Sequence, residues 1–120
     1  MNGHVDDALR ALLEVSTRRE LSGPTRSVTV WIDTAFNGYL VFPRRLIEEL
    51  DLAQEAATDA VLADGSRVTL ESYVCYVDWF GSLVPAQVIA NDGSLPLLGT
   101  AMLADRVLLV DYVRKRLSLE

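Results

Sequence analysis

What most limits the fold of this chain is its punctuation. Turn-forming clusters interrupt the apolar sequence at short intervals: Leu21-Ser22-Gly23-Pro24, Asn37-Gly38, Asp64-Gly65, Phe80-Gly81-Ser82 and Asn91-Asp92-Gly93-Ser94. The runs between them are too short for long helices, and they are rich in Val, Leu, Tyr and Trp. That pattern predicts short strands joined by hairpins and tight loops. Strands are expected at Leu12–Thr17, Ser27–Ile32, Tyr39–Phe42, Asp59–Ala63, Arg67–Trp79, Leu83–Ala90, Val107–Tyr112 and Arg116–Leu119. The stretch Asp6–Val15 also suits a helix, because Leu9, Leu12 and Leu13 share a face. The turn after it favours the strand from Leu12. The long run Arg67–Trp79 alternates imperfectly, which predicts a bulge or a change of buried face.

Two short helices interrupt the strands. Pro43 suits a first helical turn, after which Leu46, Ile47 and Leu50 fall on one face, and the helix should stop near Asp51. A second helix is expected at Thr100–Ala104. The fold class is therefore mainly β: a small closed or partly open β-barrel with one or two short helices. With 120 residues the chain reads as one domain, 1–120. Residues 1–10 are expected to form a mobile N-terminal segment.

Composition removes several functions. The chain is 50% hydrophobic and 23% charged, which argues for a folded protein rather than a disordered one. A net charge of −6 is a poor start for binding a nucleic-acid backbone. The basic clusters Arg18-Arg19, Arg44-Arg45 and Arg114-Lys115-Arg116 read as solvated strand ends and helix faces. The longest uncharged stretch, Trp79–Asn91, contains Gly81, Pro85 and Gln87 and falls short of the roughly 20 apolar residues a membrane span needs. Residues Met1–Asp7 lack the basic-then-apolar pattern of a secretion signal. The single cysteine, Cys75, suits a reducing cytoplasm and reads as a buried strand residue. With His4 the only histidine, neither a His/Cys zinc site nor a His-dependent hydrolase is expected from one chain. No metal, cofactor, nucleic acid or membrane partner is expected.

The chemistry concentrates at Trp31-Ile32-Asp33-Thr34-Ala35. An acidic residue here follows an apolar strand, where burying a carboxylate is costly without a specific purpose. Taken alone, Asp33 also suits an ordinary loop cap before Thr. Two such carboxylates brought together could share one proton, one acting as base while its partner stays protonated.

The stretch resembles the Asp-Thr/Ser-Gly motif of aspartic proteases, in the single-domain, retropepsin-like branch and its bacterial members. The resemblance runs from Leu12 to Glu120 in element order. It identifies Asp33, Thr34 and Ala35 with the catalytic loop, and Ala63, Asp64, Gly65 and Ser66 with the flap tip. Leu97, Leu98 and Gly99 match the apolar-apolar-Gly element that packs behind that loop, and Thr100–Asp105 the helix after it. The third motif position is Ala35, where the family usually has Gly. The flap tip is short and polar. The resemblance implies an aspartic endopeptidase that binds a peptide or protein substrate. Only one motif is present, so the dyad implies a homodimer with Asp33 from each copy, and the Thr34 hydroxyls would tie the two loops together.

Other residues have plainer readings. Phe36 and Tyr39 suit either a substrate cleft or the core. Trp79 and Phe80 suit either an exposed patch or a packed edge. Asp78 and Asp111 read as surface or turn acids, and His4 as inert. The rival functional reading is a catalytically inactive dimerisation or peptide-binding module of the same fold. A more distant rival is a regulatory partner whose acidic surface meets a basic protein.

Overall fold

The computed structural model describes residues 1–61 and 63–120. In chain order the elements are β1 (Asn2–Val5), β2 (Ala11–Arg18), β3 (Arg26–Ile32), β4 (Leu40–Pro43), α1 (Arg44–Leu50), β5 (Ala53–Val61), β6 (Arg67–Trp79), β7 (Ser82–Asn91), β8 (Leu97–Leu98), α2 (Thr100–Leu103), β9 (Leu108–Asp111) and β10 (Arg116–Leu119). The strands join in the order β5-β6-β7-β4-β8-β3-β2-β1-β10-β9, with β6 also paired to β2. That extra pairing closes β2, β3, β8, β4, β7 and β6 into a ring.

Closure works because β2 divides its second edge. Its first residues pair with β1, His4 opposite Leu12. Its last residues, Ser16–Arg18, pair with Asp78–Tyr76 of β6. Two ribbons leave the ring: β5 with the first half of β6, and the three-stranded wing β1-β10-β9.

Alternation along the strands fills the ring. In β3, Val28, Val30 and Ile32 are buried while Ser27, Thr29 and Trp31 face out. They meet Leu13 and Val15 of β2, Leu40 and Phe42 of β4, Val77 of β6, Val88 of β7 and Leu98 of β8. Thr17 and Ser72 are buried polar residues, and the Thr17 hydroxyl donates to the Arg26 carbonyl at 3.1 Å. Burial in β6 changes face between Ser72 and Cys75, as the imperfect alternation allowed. The bulge itself lies on the facing strand, where the register shifts between Gln54 and Ala56 of β5.

The structure corrects the sequence reading at several points. Residues 1–10 are not a loose tail. Asn2–His4 pair with Ser118–Arg116 of β10, His4 and Val5 pair with β2, and the amino terminus donates to the Leu119 carbonyl at 2.6 Å. The helical alternative for Asp6–Val15 does not occur, because Ala11 onward is strand. β5 begins at Ala53 rather than Asp59, and Leu62, assigned to the same strand from sequence, lies outside the described residues. Pro43 caps α1 instead of entering its first turn. At the other end of α1, Asp51 takes a left-handed conformation (φ 53°), and the amides of Asp51 and Leu52 reach back to the Glu48 and Ile47 carbonyls. Trp79 is buried while Phe80 is partly exposed. Phe80 stacks edge-on against Trp79, and the Arg106 guanidinium lies 3.7 Å from its ring centre.

Phe42 is fully buried where β4 meets the core. Phe42→Ala should lower unfolding stability by about 3–5 kcal/mol, measured by urea denaturation.

Candidate active site

The loop between β3 and β4 carries Asp33, and β8 holds both its ends. β8 lies parallel to β3, with Trp31 opposite Leu97 and Ile32 opposite Leu98. It lies antiparallel to β4, with Leu40 opposite Leu98. The Trp31 amide donates to the Pro96 carbonyl at 2.8 Å, the Asp33 amide to Leu98 at 2.9 Å and the Gly99 amide to Tyr39 at 2.8 Å. The short helix α2 starts immediately behind. Its first amides would otherwise lack partners, but Thr100 N–H donates to Phe36 O at 2.8 Å and Ala101 N–H to Gly38 O at 3.1 Å. Loop and helix therefore fix one another.

Gly99 is required by space. Its φ of −96° is ordinary, but a Cβ there would sit 2.5 Å from Phe36 Cδ2 and 2.7 Å from Phe36 O, and would strike the Gly38 carbonyl. The Phe36 ring also covers Gly38. Of the two readings open for Phe36, the structure favours support: its ring packs behind the loop and is not among the residues lining the pocket in front.

That pocket has a volume of about 340 Å³ and is lined by Trp31, Ile32, Asp33, Thr34, Ala35 and Leu97. Asp33 is half-buried, and its Oδ1 accepts the Ala35 amide at 3.0 Å. Thr34 and Ala35 are exposed. Ala35 is not among the residues with positive φ, so its methyl costs no left-handed strain. Leu98 is buried behind the loop, whereas Leu97 turns outward and lines the pocket.

Sequence reasoning missed Trp31 as part of the wall. Trp31 and Leu97 are cross-strand partners on the outer face. Strict alternation with buried Ile32 was the signal that could have found it. The Arg10 guanidinium sits 5.9 Å from the Trp31 ring centre, and Arg10 Nε is 2.7 Å from Asp6 Oδ2. The Arg10 amide first, and then its guanidinium, hold the Asp6 carboxyl below its ordinary value.

The residues expected at the flap tip lie at a hairpin turn. Ala63, Asp64, Gly65 and Ser66 form the exposed tip of the β5–β6 hairpin. Gly65 takes φ +86°, and Asp64 Oδ1 accepts from the Ser66 amide at 2.9 Å and hydroxyl at 2.6 Å. The Ser66 hydroxyl, then its amide, lower the Asp64 pKa.

Size does not select the site. Concavities of about 400 Å³ at the β2–β3 turn and about 460 Å³ between β3 and α1 are larger, but neither includes Asp33. Burial pushes the Cys75 thiol up to about 12, so it stays protonated and is not a nucleophile. Among the described residues no cluster of His, Cys, Asp and Glu could hold a metal ion.

No protein-family model matches this chain, and no curated protein matches it in sequence. Solved structures match in shape. One is EIAV protease complexed with the inhibitor HBY-793, at a TM-score of 0.55 and 18% identity, covering 80% of this chain and 86% of that one. Another is the retroviral protease-like domain of Ddi1 from Leishmania major, at a TM-score of 0.48 and 14% identity, covering 91% and 88%.

Gly99→Ala should displace Phe36 and loosen the Asp33 loop, at a cost of about 1–3 kcal/mol read by thermal denaturation.

Proposed function

The chain has the fold of a retroviral protease, and we propose that two copies of it form an aspartic endopeptidase in which each contributes one Asp33. The observation that carries this reading is the setting of Asp33. A half-exposed carboxylate stands in a pocket, on a loop fixed at both ends by main-chain hydrogen bonds to β8 and α2. A carboxylate used for general acid–base work needs that combination of access and rigidity.

In the proposed reaction the two Asp33 carboxyls share one proton. The ionised one takes a proton from a water molecule, which attacks the peptide carbonyl. The protonated one donates to the carbonyl oxygen. The resulting tetrahedral diol collapses as a proton passes to the departing amine, and the C–N bond breaks. The Thr34 hydroxyl, exposed beside Asp33, would bind across the two loops. An extended substrate would pair through its main chain with the β5–β6 hairpin. The lone buried thiol of Cys75 fits work in the reducing cytoplasm, and no helix among the described residues is long and apolar enough to cross a membrane.

A second reading keeps the fold and dimer but not the chemistry. Ala35 in the third motif position favours it, because the added methyl stands at the pocket wall.

The test is peptide cleavage between pH 4 and 7, comparing the natural chain with Asp33→Asn. The fold should tolerate this window. Asp6, Asp7, Asp64 and Asp111 all have folded pKa values below the ordinary 3.8. The stability they lend is present above 3.8 and is lost only as pH falls through the lower folded values. Cleavage should be greatest at the acid end and fall by at least about 10²-fold in the variant. A confirmed dimer that cuts nothing in a broad peptide library would establish the binding-module reading instead.

A further inference from the structure

We propose that the concavity beside the β2–β3 turn binds a carboxylate attached to an apolar group, with the Arg18 guanidinium as its anchor. The proposal stands apart from the dyad reading, because Asp33 does not line this space.

Three elements build the concavity. β2 ends at Arg18, β3 begins at Arg26, and the end of α1 brings Glu49 and Leu50. The Arg18 main chain is paired opposite Tyr76 of β6, so its side chain springs from the barrel wall rather than from the turn. Two ion pairs fasten the turn to the helix. Arg19 Nη1 lies 3.2 Å from Asp51 Oδ2, and Arg26 Nη2 lies 2.9 Å from Glu49 Oε2. The space beside them has a volume of about 400 Å³, enough for a small organic ligand.

Three arginines line this space, and two of them are already neutralised by Asp51 and Glu49. Among the described residues Arg18 has no carboxylate partner. Its Nη1 donates to the Gly23 carbonyl at 3.5 Å, a long bond. Its Nε is buried and has no hydrogen-bond partner in the chain. A buried donor left unpaired is costly, and more so on a charged group. Arg18 as a whole is half-buried and lines the concavity, so a small turn of its side chain presents the Nε edge to a ligand. Nε and Nη2 together form the edge of a guanidinium that takes both oxygens of a carboxylate.

The surroundings select the ligand. One unmatched guanidinium calls for one negative charge. Glu20, exposed and without an ion-pair partner among the described residues, also lines the space. Its charge opposes a dianion such as phosphate more than a monoanion. Pro24 and Leu50 add apolar surface next to the charge. A carboxylate on an apolar body satisfies both, whether it is a small free acid or the C-terminus of a peptide.

Nuclear magnetic resonance titration of the natural chain tests this through the Arg18 Nε–H signal and the amides of Ser22, Gly23 and Thr25. The probes are N-acetyl-leucine, its uncharged amide, inorganic phosphate and the peptide acetyl-Ala-Ala-Leu. N-acetyl-leucine should shift these signals together, and the amide and phosphate should bind at least about tenfold more weakly. Arg18→Gln should lose binding by a similar factor with an unchanged circular dichroism spectrum. Arg18→Lys keeps the charge without the fork and should recover only part of it. Arg45→Gln, a control outside the concavity, should bind as the natural chain does. Tighter binding of the peptide than of N-acetyl-leucine would support a peptide C-terminus as the source, and equal binding a small free acid. No shift at millimolar N-acetyl-leucine, equal binding of the amide, preference for phosphate, or full binding by Arg18→Gln would overturn the proposal. Should Arg18→Gln fail to fold, the acid and amide compared on the natural chain still decide it.

Discussion

Wedged between β3 and β4, the two residues of β8 hold both ends of the Asp33 loop, and the site depends on that clamp. Main-chain bonds from Asp33 to Leu98 and from Gly99 to Tyr39 fix where the loop leaves one strand and enters the next. Side chains then fill the space behind. Leu98 and Met102 are buried there, and the Phe36 ring leaves no room for a Cβ at Gly99. A carboxylate on a flexible loop would turn to solvent. On this loop Asp33 keeps a half-buried position with one oxygen held by the Ala35 amide.

The same clamp explains why the ring closes where it does. β8 contributes only two residues, yet it bridges β3 and β4, which are not paired to one another. Without it the barrel would open at the loop that carries Asp33. β2 does the corresponding work opposite, by giving half an edge to β6 and half to β1. That division releases the β1-β10-β9 wing from the barrel wall and leaves an apolar edge at its end.

Much of this was legible in the sequence because the informative residues are locally determined. Arg67–Trp79 is strand over its whole expected length, since Val68, Thr69, Tyr73, Val74, Tyr76, Val77 and Trp79 give it strong strand propensity between two Gly turns. The Asp33 loop and Leu97-Leu98-Gly99 were recognisable by residue type. The remainder depends on tertiary contacts. Asn2-Gly3-His4 has no apolar alternation and becomes a strand only because β10 and β2 flank it. Ala53–Thr58 has weak strand propensity and is drawn into β5 by its pairing with β6. A two-residue strand such as β8 has no period to read. The role of Trp31 in the pocket depends on its partner Leu97, which is 66 positions away in the chain.

The most direct test of a shared site is stoichiometry. A peptide carrying a hydroxyl in place of the scissile carbonyl mimics the tetrahedral intermediate and should engage both Asp33 carboxyls. Titration calorimetry should give one such peptide per two chains, with binding abolished in Asp33→Asn. One peptide per chain, or unchanged binding by the Asp33→Asn dimer, would contradict a dyad built from two copies.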